Sequence, residues 1–250
     1  MEQVEVSLIL PMCNEADSIE NCVFEARNAL ESFSHSYEII IAEDGSTDNT
    51  YEKARMLTVL DKKISHLHSS SRLGKGEALK RAIGKARGQV VCYVDADSGI
   101  SLANLKDLVE TARNVGGMSI GSRLVHGSIV RRRFLRKLLS RCYNLMVRAL
   151  FHDGVHDHQC GFKAFTASLL DNIQAEDSDW FWDTEMIVRA KRRGFAIKEI
   201  SVSCSDMRGP EGSKVRLFSD AIRMWQAAFK LRLKITRNQK GMISSRAGRF

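Results

Sequence analysis

Asp95 and Asp97, separated by the small Ala96, close the apolar run of VVCYVDADSG (residues 90 to 99). In an extended strand, side chains two apart share a face, so both carboxylates would point the same way while Ala96 points back. Two like charges held together are costly unless a cation joins them. Hard oxygen ligands suit Mg2+ or Mn2+, ions that substrate phosphates often complete. A solvated cap between strand and loop fits the same tripeptide, because Asp-rich turns commonly follow strands. The motif alone leaves a metal site and a plain turn both open.

Two further clusters invite chemistry. HDGVHDHQC gathers His152, His156 and His158 with Asp153 and Asp157, but the spacing matches no standard zinc pattern and Gly154 suits a turn. RLGKGEALKRA contains a GxG yet lacks the third glycine and the preceding strand of a dinucleotide fingerprint, and no GxxxxGK[ST] occurs. NAD binding and P-loop chemistry are therefore unsupported. Gly74, Lys75 and Gly76 read either as a flexible helix start whose amides and lysine can meet a phosphate, or as a plain one.

These residues need a scaffold, and the first half of the chain supplies strand-like and helix-like segments in alternation. VSLILP (6–11) is an apolar run stopped by proline; 16–34 carries helical spacing; YEIIIAEDGS (37–46) is strand then turn; 48–59 is helical, with Asp48 as N-cap. A short strand at 64–68, a helix over 76–86 and the strand of VVCYVDAD follow. Such alternation predicts an α/β fold with a parallel sheet covered on both faces. Ligands of these sheets bind at the carboxyl ends of the strands. LPMCNE, AEDGSTD and DADSG all fall there, so three carboxylate-bearing loops should converge on one rim.

The second half is less regular. MSIGSR (118–123) reads as a strand. RRRFLRKLLSRCYNLMVRALF (131–151) places Phe134, Leu135, Leu138, Leu139, Cys142, Leu145, Met146 and Ala149 on one broad helical stripe, with arginines elsewhere around the wheel. A strand at AIKEISVSC and an amphipathic segment LFSDAIRMWQAAFKLRLKI come later, before a polar, basic, frayed tail from Thr236. The organisation expected is one domain over 1–235, with halves of about 1–112 and 113–235, and a tail over 236–250.

The 250 residues carry a formal charge of +8, which favours anionic partners: phosphates, a lipid surface or nucleic acid. Six cysteines without CxxC spacing read as reduced thiols of a cytosolic protein. Neither a signal peptide nor a membrane-spanning run is read, so any contact with a membrane would be on its surface.

LPMCNE, EDGSTD, RLGKGEA, VDADSG, GSR, QCGFKAF and WFWDTE, in this order and spacing, resemble the family 2 glycosyltransferases that use polyprenyl-phosphate acceptors, over about residues 6 to 234. The dolichyl-phosphate β-glucosyltransferases are the nearer likeness and the dolichyl-phosphate mannose synthases the next. The resemblance implies a GT-A fold, Rossmann-like with a mostly parallel sheet and added basic amphipathic interfacial helices. It also implies a nucleotide diphosphate sugar donor and a divalent cation, Mg2+ or Mn2+, held by Asp95 and Asp97. Gly99 stands where mannose synthases place a metal-binding glutamine, so the third protein ligand is missing from that position.

By the same likeness Pro11, Cys13, Asn14, Glu15, Asp44, Lys75, Asp95, Ala96 and Asp97 would bind the nucleotide sugar, with Asp44 accepting from a uracil or guanine N–H. Arg123, Arg132 and Arg136 would bind the acceptor phosphate, as guanidinium forks do. Asp95, Asp97, Asp183 and Arg123 form the expected catalytic set. Asp183 could act as a base, orient the sugar, hold an arginine or cap a helix. Of Trp180, Phe181 and Trp182, one could stack on a sugar or meet an interface; core packing fits all three equally. The expected reaction is an inverting, metal-dependent hexose transfer from a UDP-glucose or GDP-mannose type donor to dolichyl phosphate, on the cytoplasmic face of a membrane and without nucleic acid. The rivals are an enzyme of the same fold with a hydroxyl acceptor and a basic nucleic-acid-binding protein.

Overall fold

The computed structural model describes residues 3–96, 99–206 and 217–247. Its core is a seven-stranded sheet ordered β3-β2-β1-β4-β7-β5-β8. The first four strands are β1 (Val6–Met12), β2 (Tyr37–Glu43), β3 (Ile64–Leu67) and β4 (Val90–Val94). All are parallel, joined by α1 (Ile19–Glu31), α2 (Thr50–Leu60) and α3 (Lys75–Ile83). Every residue of β2 and β4 is buried, as strands covered on both faces require. β2 nevertheless contains Glu38, which is neutralised by the Arg87 guanidinium at 2.6 and 2.9 Å and by the Ser7 hydroxyl.

Three of the boundaries that differ from the sequence reading bear on the site. β1 runs through Pro11 to Met12. Pairing with β4 ends at Ile9, so the missing proline N–H removes no ladder bond on that side. α2 starts at Thr50 rather than Asp48, because the Asp48 carboxylate accepts from Thr50 N and also from Ala16 N, tying two loops together. β4 ends at Val94, which places Asp95 in the loop beyond the strand; Asp97 lies outside the described residues.

The second half adds α4 (Leu105–Val115), β5 (Met118–Ser122), β6 (Ile129–Arg132), α5 (Phe134–Phe151) and β7 (Phe162–Thr166). It ends with α6 (Ala167–Asn172), α7 (Trp182–Arg192), β8 (Ile197–Ser201), β9 (Ser203–Asp206) and α8 (Leu217–Ala247). β7 is antiparallel to both neighbours and inserts between β4 and β5. The expected single strand at 196–204 is split into β8, in the main sheet, and β9, which pairs with β6. The expected frayed tail is helical through Ala247 as part of α8.

α5 is helical over the predicted span but turned differently. Its buried residues are Tyr143, Asn144 and Val147, whereas Phe134, Leu135, Leu138 and Leu145 of the apolar stripe are exposed. α8 packs against α5 through a small cluster in which Ala228, Leu231 and Ile235 meet Phe181 and Val188 of the α7 region, flanked by Met146 and Leu150. Ile222, Trp225, Phe229 and Leu233 of α8 stay exposed.

Candidate active site

The three strand-end loops converge as the parallel topology demands. Pro11, Cys13, Glu15, Asp44, Lys75 and Asp95 line one cleft, together with Arg72 and Trp180. The cleft is built by close backbone approaches. Asp44, 5 % exposed, accepts from Leu73 N at 2.8 Å and Gly74 N at 2.9 Å and so folds the RLGKG segment over the β2 end. Gly74 has φ +103°, and a Cβ there would sit 2.5 Å from the Ser178 carbonyl. This helix start is therefore clamped against the 178 loop, not flexible as its glycines suggested.

Asn14 is turned elsewhere. With φ +53° it directs its carboxamide oxygen to Thr47 N at 2.7 Å while its own N–H bonds Ser46 Oγ. It pins the EDGSTD loop beside the cleft. Ala96 is half-buried in the turn after β4, its carbonyl facing the Cys22 thiol.

The charged centre is a chain of four side chains from four elements. Lys75 Nζ lies 2.9 Å from both Asp95 Oδ2 and Asp183 Oδ2. The other oxygen of Asp183 meets Lys163 Nζ at 2.5 Å and accepts from the Tyr93 hydroxyl. Tyr93 and Lys163 are register partners across β4 and β7. Lys163 is fully buried and donates also to the carbonyls of His158 and Cys160. Burial alone would raise the Asp183 pKa, but Lys163 and then Lys75 outweigh it and hold the carboxyl below its ordinary value. Burial likewise opposes the Lys75 charge, and Asp183 and Asp95 reverse that effect and raise its pKa. Asp183 is thus an ionised acceptor held from both sides. It is neither a cap nor an arginine partner.

Asp95 leaves β4 with its N–H bonded to the Gly161 carbonyl. A Cβ on Gly161 would lie 1.8 Å from Asp95 Oδ2, so QCGFK needs glycine where this carboxylate passes. Among the three aromatics, Phe181 and Trp182 are buried and Trp180 alone reaches the cleft.

Arg123 is not among the residues lining this cleft. Its Nε and Nη2 form a bidentate pair with Asp157 at 2.7 and 2.8 Å, and its N–H bonds the same carboxylate. With its side chain 11 % exposed, the fork is engaged by Asp157, and an acceptor phosphate would have to compete with that carboxylate for it. Burial would raise the Asp157 pKa, yet Arg123 draws it down to about 2. A depressed carboxylate stabilises the fold above its unfolded value near 3.8 and loses that contribution as pH falls through the folded value. Acid unfolding monitored by circular dichroism should therefore show Asp157→Asn already destabilised by about 2 kcal/mol at neutral pH and less sensitive than wild type between about pH 4 and 2. Arg123→Lys should lower stability and weaken donor and acceptor use alike. A selective acceptor defect would instead assign the fork to the acceptor phosphate.

Arg132 ends β6 and Arg136 lies in the first turn of α5; both are half-buried. The histidine cluster is structural. His158 engages Asn144 through Nδ1 and Asp153 through Nε2, leaving no ring nitrogen for a metal, and His156 pairs with Glu199. Lys163 and Tyr93 escaped the sequence reading as site residues, although Lys163 sits inside the quoted QCGFK.

A mostly parallel sheet with an antiparallel β7 insertion and an acidic cleft over its first strands defines a GT-A glycosyltransferase. The profile of Glycosyl transferase family 2 matches residues 7–174, and the chain belongs to that family. It is similar to glycosyltransferase AglD of Haloferax volcanii, 42 % identical over 88 % of this chain and 36 % of the relative. It is also similar to the dolichyl-phosphate β-glucosyltransferase of Dictyostelium discoideum, 31 % identical over 94 % of this chain and 76 % of the relative. The chain thus spans about a third of AglD and three quarters of the latter. The fold matches glucosyl-3-phosphoglycerate synthase of Mycobacterium tuberculosis, solved with Mn2+, UDP and phosphoglyceric acid, at a TM-score of 0.70 with 19 % identity, covering 92 % of this chain and 78 % of that one.

Proposed function

We propose that this enzyme transfers a hexose, with inversion, from a UDP-glucose or GDP-mannose type donor to a polyprenyl phosphate presented at the cytoplasmic face of a membrane. The observation that carries the reading is the cleft at the β1, β2 and β4 ends, where Asp95 and Asp183 share Lys75. Relatives named for dolichyl phosphate supply the acceptor class.

Asp95 fits a hard divalent cation in chemistry and place: it is an oxygen donor at the strand end, with its side chain 18 % exposed in the cleft. Asp95 and Asp97 would hold Mg2+ or Mn2+, which neutralises charge on the departing nucleotide diphosphate. Around it, Pro11, Cys13, Glu15 and Asp44 shape the nucleotide pocket, and Trp180 offers a face to the base or sugar. Lys75 Nζ is placed to exchange a carboxylate for a phosphate oxygen as the donor enters. Asp183, 1 % exposed beneath the cleft, acts through Lys75, whose ammonium it holds at 2.9 Å. A phosphate acceptor is already anionic near neutral pH and needs no general base. Arg132 and Arg136 remain the residues for the acceptor phosphate. Arg123, through Asp157, braces the segment behind them.

Purified protein should move label from one nucleotide sugar of a UDP- and GDP-sugar panel into the lipid phase with polyprenyl phosphate and Mn2+. Transfer to a hydroxyl acceptor only would replace the acceptor assignment. A gel shift of nucleic acid without any turnover would replace the reading altogether.

No helix among the described residues is long and apolar enough to cross a membrane. The outward stripes of α5 and α8 are suited to lying on one. Arg131, Arg133, Arg141 and Arg148 are exposed beside the α5 stripe. Each basic residue near an anionic surface contributes about 1 kcal/mol, and each large apolar side chain taken from water about 1.5–3 kcal/mol. Co-sedimentation with anionic liposomes should be salt-sensitive and weakened by Trp225→Glu, Phe134→Glu, or Arg131→Glu combined with Arg133→Glu. Unchanged sedimentation in all three would remove the membrane from the proposal.

A further inference from the structure

Glu43 precedes Asp44 but faces a different neighbourhood. It is the last residue of β2, 1 % exposed, and its carboxylate meets His68 Nδ1 at 2.5 Å and Ser46 N at 2.5 Å. His66, on edge strand β3 opposite Ile41, shares a face with His68 two residues on. One ligand atom from each of Glu43, His66 and His68 lies within 4.8 Å of the others. His66 Nε2 is buried and makes no hydrogen bond among the described residues. The Tyr51 ring closes the other side, 5.6 Å from His66 and 4.4 Å from His68 between centroids.

We propose that Glu43, His66 and His68 form a binding site for a transition-metal ion of the Zn2+ class, separate from the cation site of Asp95 and Asp97. Two imidazoles and one carboxylate suit zinc, whereas the all-oxygen aspartate pair suits Mg2+ or Mn2+. Ligand atoms around a tetrahedral zinc stand roughly 3.3 Å apart. Glu43 and His68 must therefore open slightly, and His68, with a side chain 40 % exposed, is free to turn and leave a fourth position to water. Ser46 N fixes the carboxylate from behind, as second ligand shells do. The ion would staple edge strand β3 to the loop that carries Asp44, stiffening the nucleotide pocket without entering it.

The test uses the chelator-stripped full chain titrated with ZnCl2, followed by calorimetry, thermal melting and X-ray absorption at the zinc edge. Wild type should take up about one equivalent at submicromolar Kd, melt at higher temperature, and show imidazole scattering from two rings. His66→Ala and His68→Ala should each weaken binding at least about tenfold while keeping a native circular dichroism spectrum. His156→Ala and Asp95→Asn should bind zinc as wild type does, and the Asp95→Asn result separates this site from the donor cation. Absence of saturable binding, or full binding by the His66→Ala, His68→Ala double variant, overturns the site. So does a loss that follows His156→Ala instead.

Discussion

Asp183→Asn is expected to cut hexose transfer by at least about a hundredfold, the scale on which one strong electrostatic element of an active site acts. The change keeps volume but removes the only carboxylate that touches both Lys75 and Lys163 among the described residues. Lys163 then sits fully buried beside neutral partners, and breaking such a pair costs about 3–5 kcal/mol. Activity and stability should therefore fall together. Adding Lys163→Met separates them, because the second change removes the stranded cation: melting temperature should recover while turnover does not. Recovery of turnover in the double variant would show that Asp183 serves only the fold.

Asp97→Asn should nearly abolish transfer with no change in melting temperature, and Asp95→Asn should do so with a small one, since Asp95 also holds Lys75 at 2.9 Å. The loss expected is on the order of a hundredfold or more. The check is turnover against Mn2+ concentration, with EDTA as the limiting case. Full wild-type activity in EDTA would remove the cation from the proposed reaction.

The donor side of the cleft was legible before the structure because its information is local. Apolar runs of strand length, each ending in a carboxylate-bearing turn, place LPMCNE, AEDGSTD and Asp95 on one rim by topology alone. Asp95, Lys75 and Asp183 were named through the family resemblance, but the contacts among them were not legible, since Asp183 joins Tyr93 and Lys75 across separations of 90 and 108 residues. No spacing rule reaches that far. β7 was missed for a related reason: FKAFT is short, carries a buried lysine and lies behind a glycine, so it reads as polar motif rather than strand. α4 was overlooked although Leu105, Leu108, Val109 and Ala112 carry helical spacing and are all buried. HDGVHDHQC was not read as a zinc site, but the pairing of its Asp157 with Arg123, 34 residues earlier, lay beyond any local pattern. The stripe of α5 was read correctly as amphipathic, but periodicity cannot say which way a helix faces. Tyr143, which bonds Thr184, and Asn144, which holds His158, fix it by anchoring the polar side inward.

The place of β7 also bears on how the chain is made. As a ribosome releases it, β1 to β4 and their helices can assemble first, but β4 then presents VVCYV, all of it destined for burial, as an open edge. The strand that covers it emerges about 70 residues later, from Phe162 onward. During that interval the nascent chain displays what sheets most readily use to join strangers. A synthesis pause or truncation between residues 95 and 161 should therefore yield aggregates rather than a smaller soluble domain, and a chaperone bound over β4 would guard it until Phe162–Thr166 arrives to pair with it.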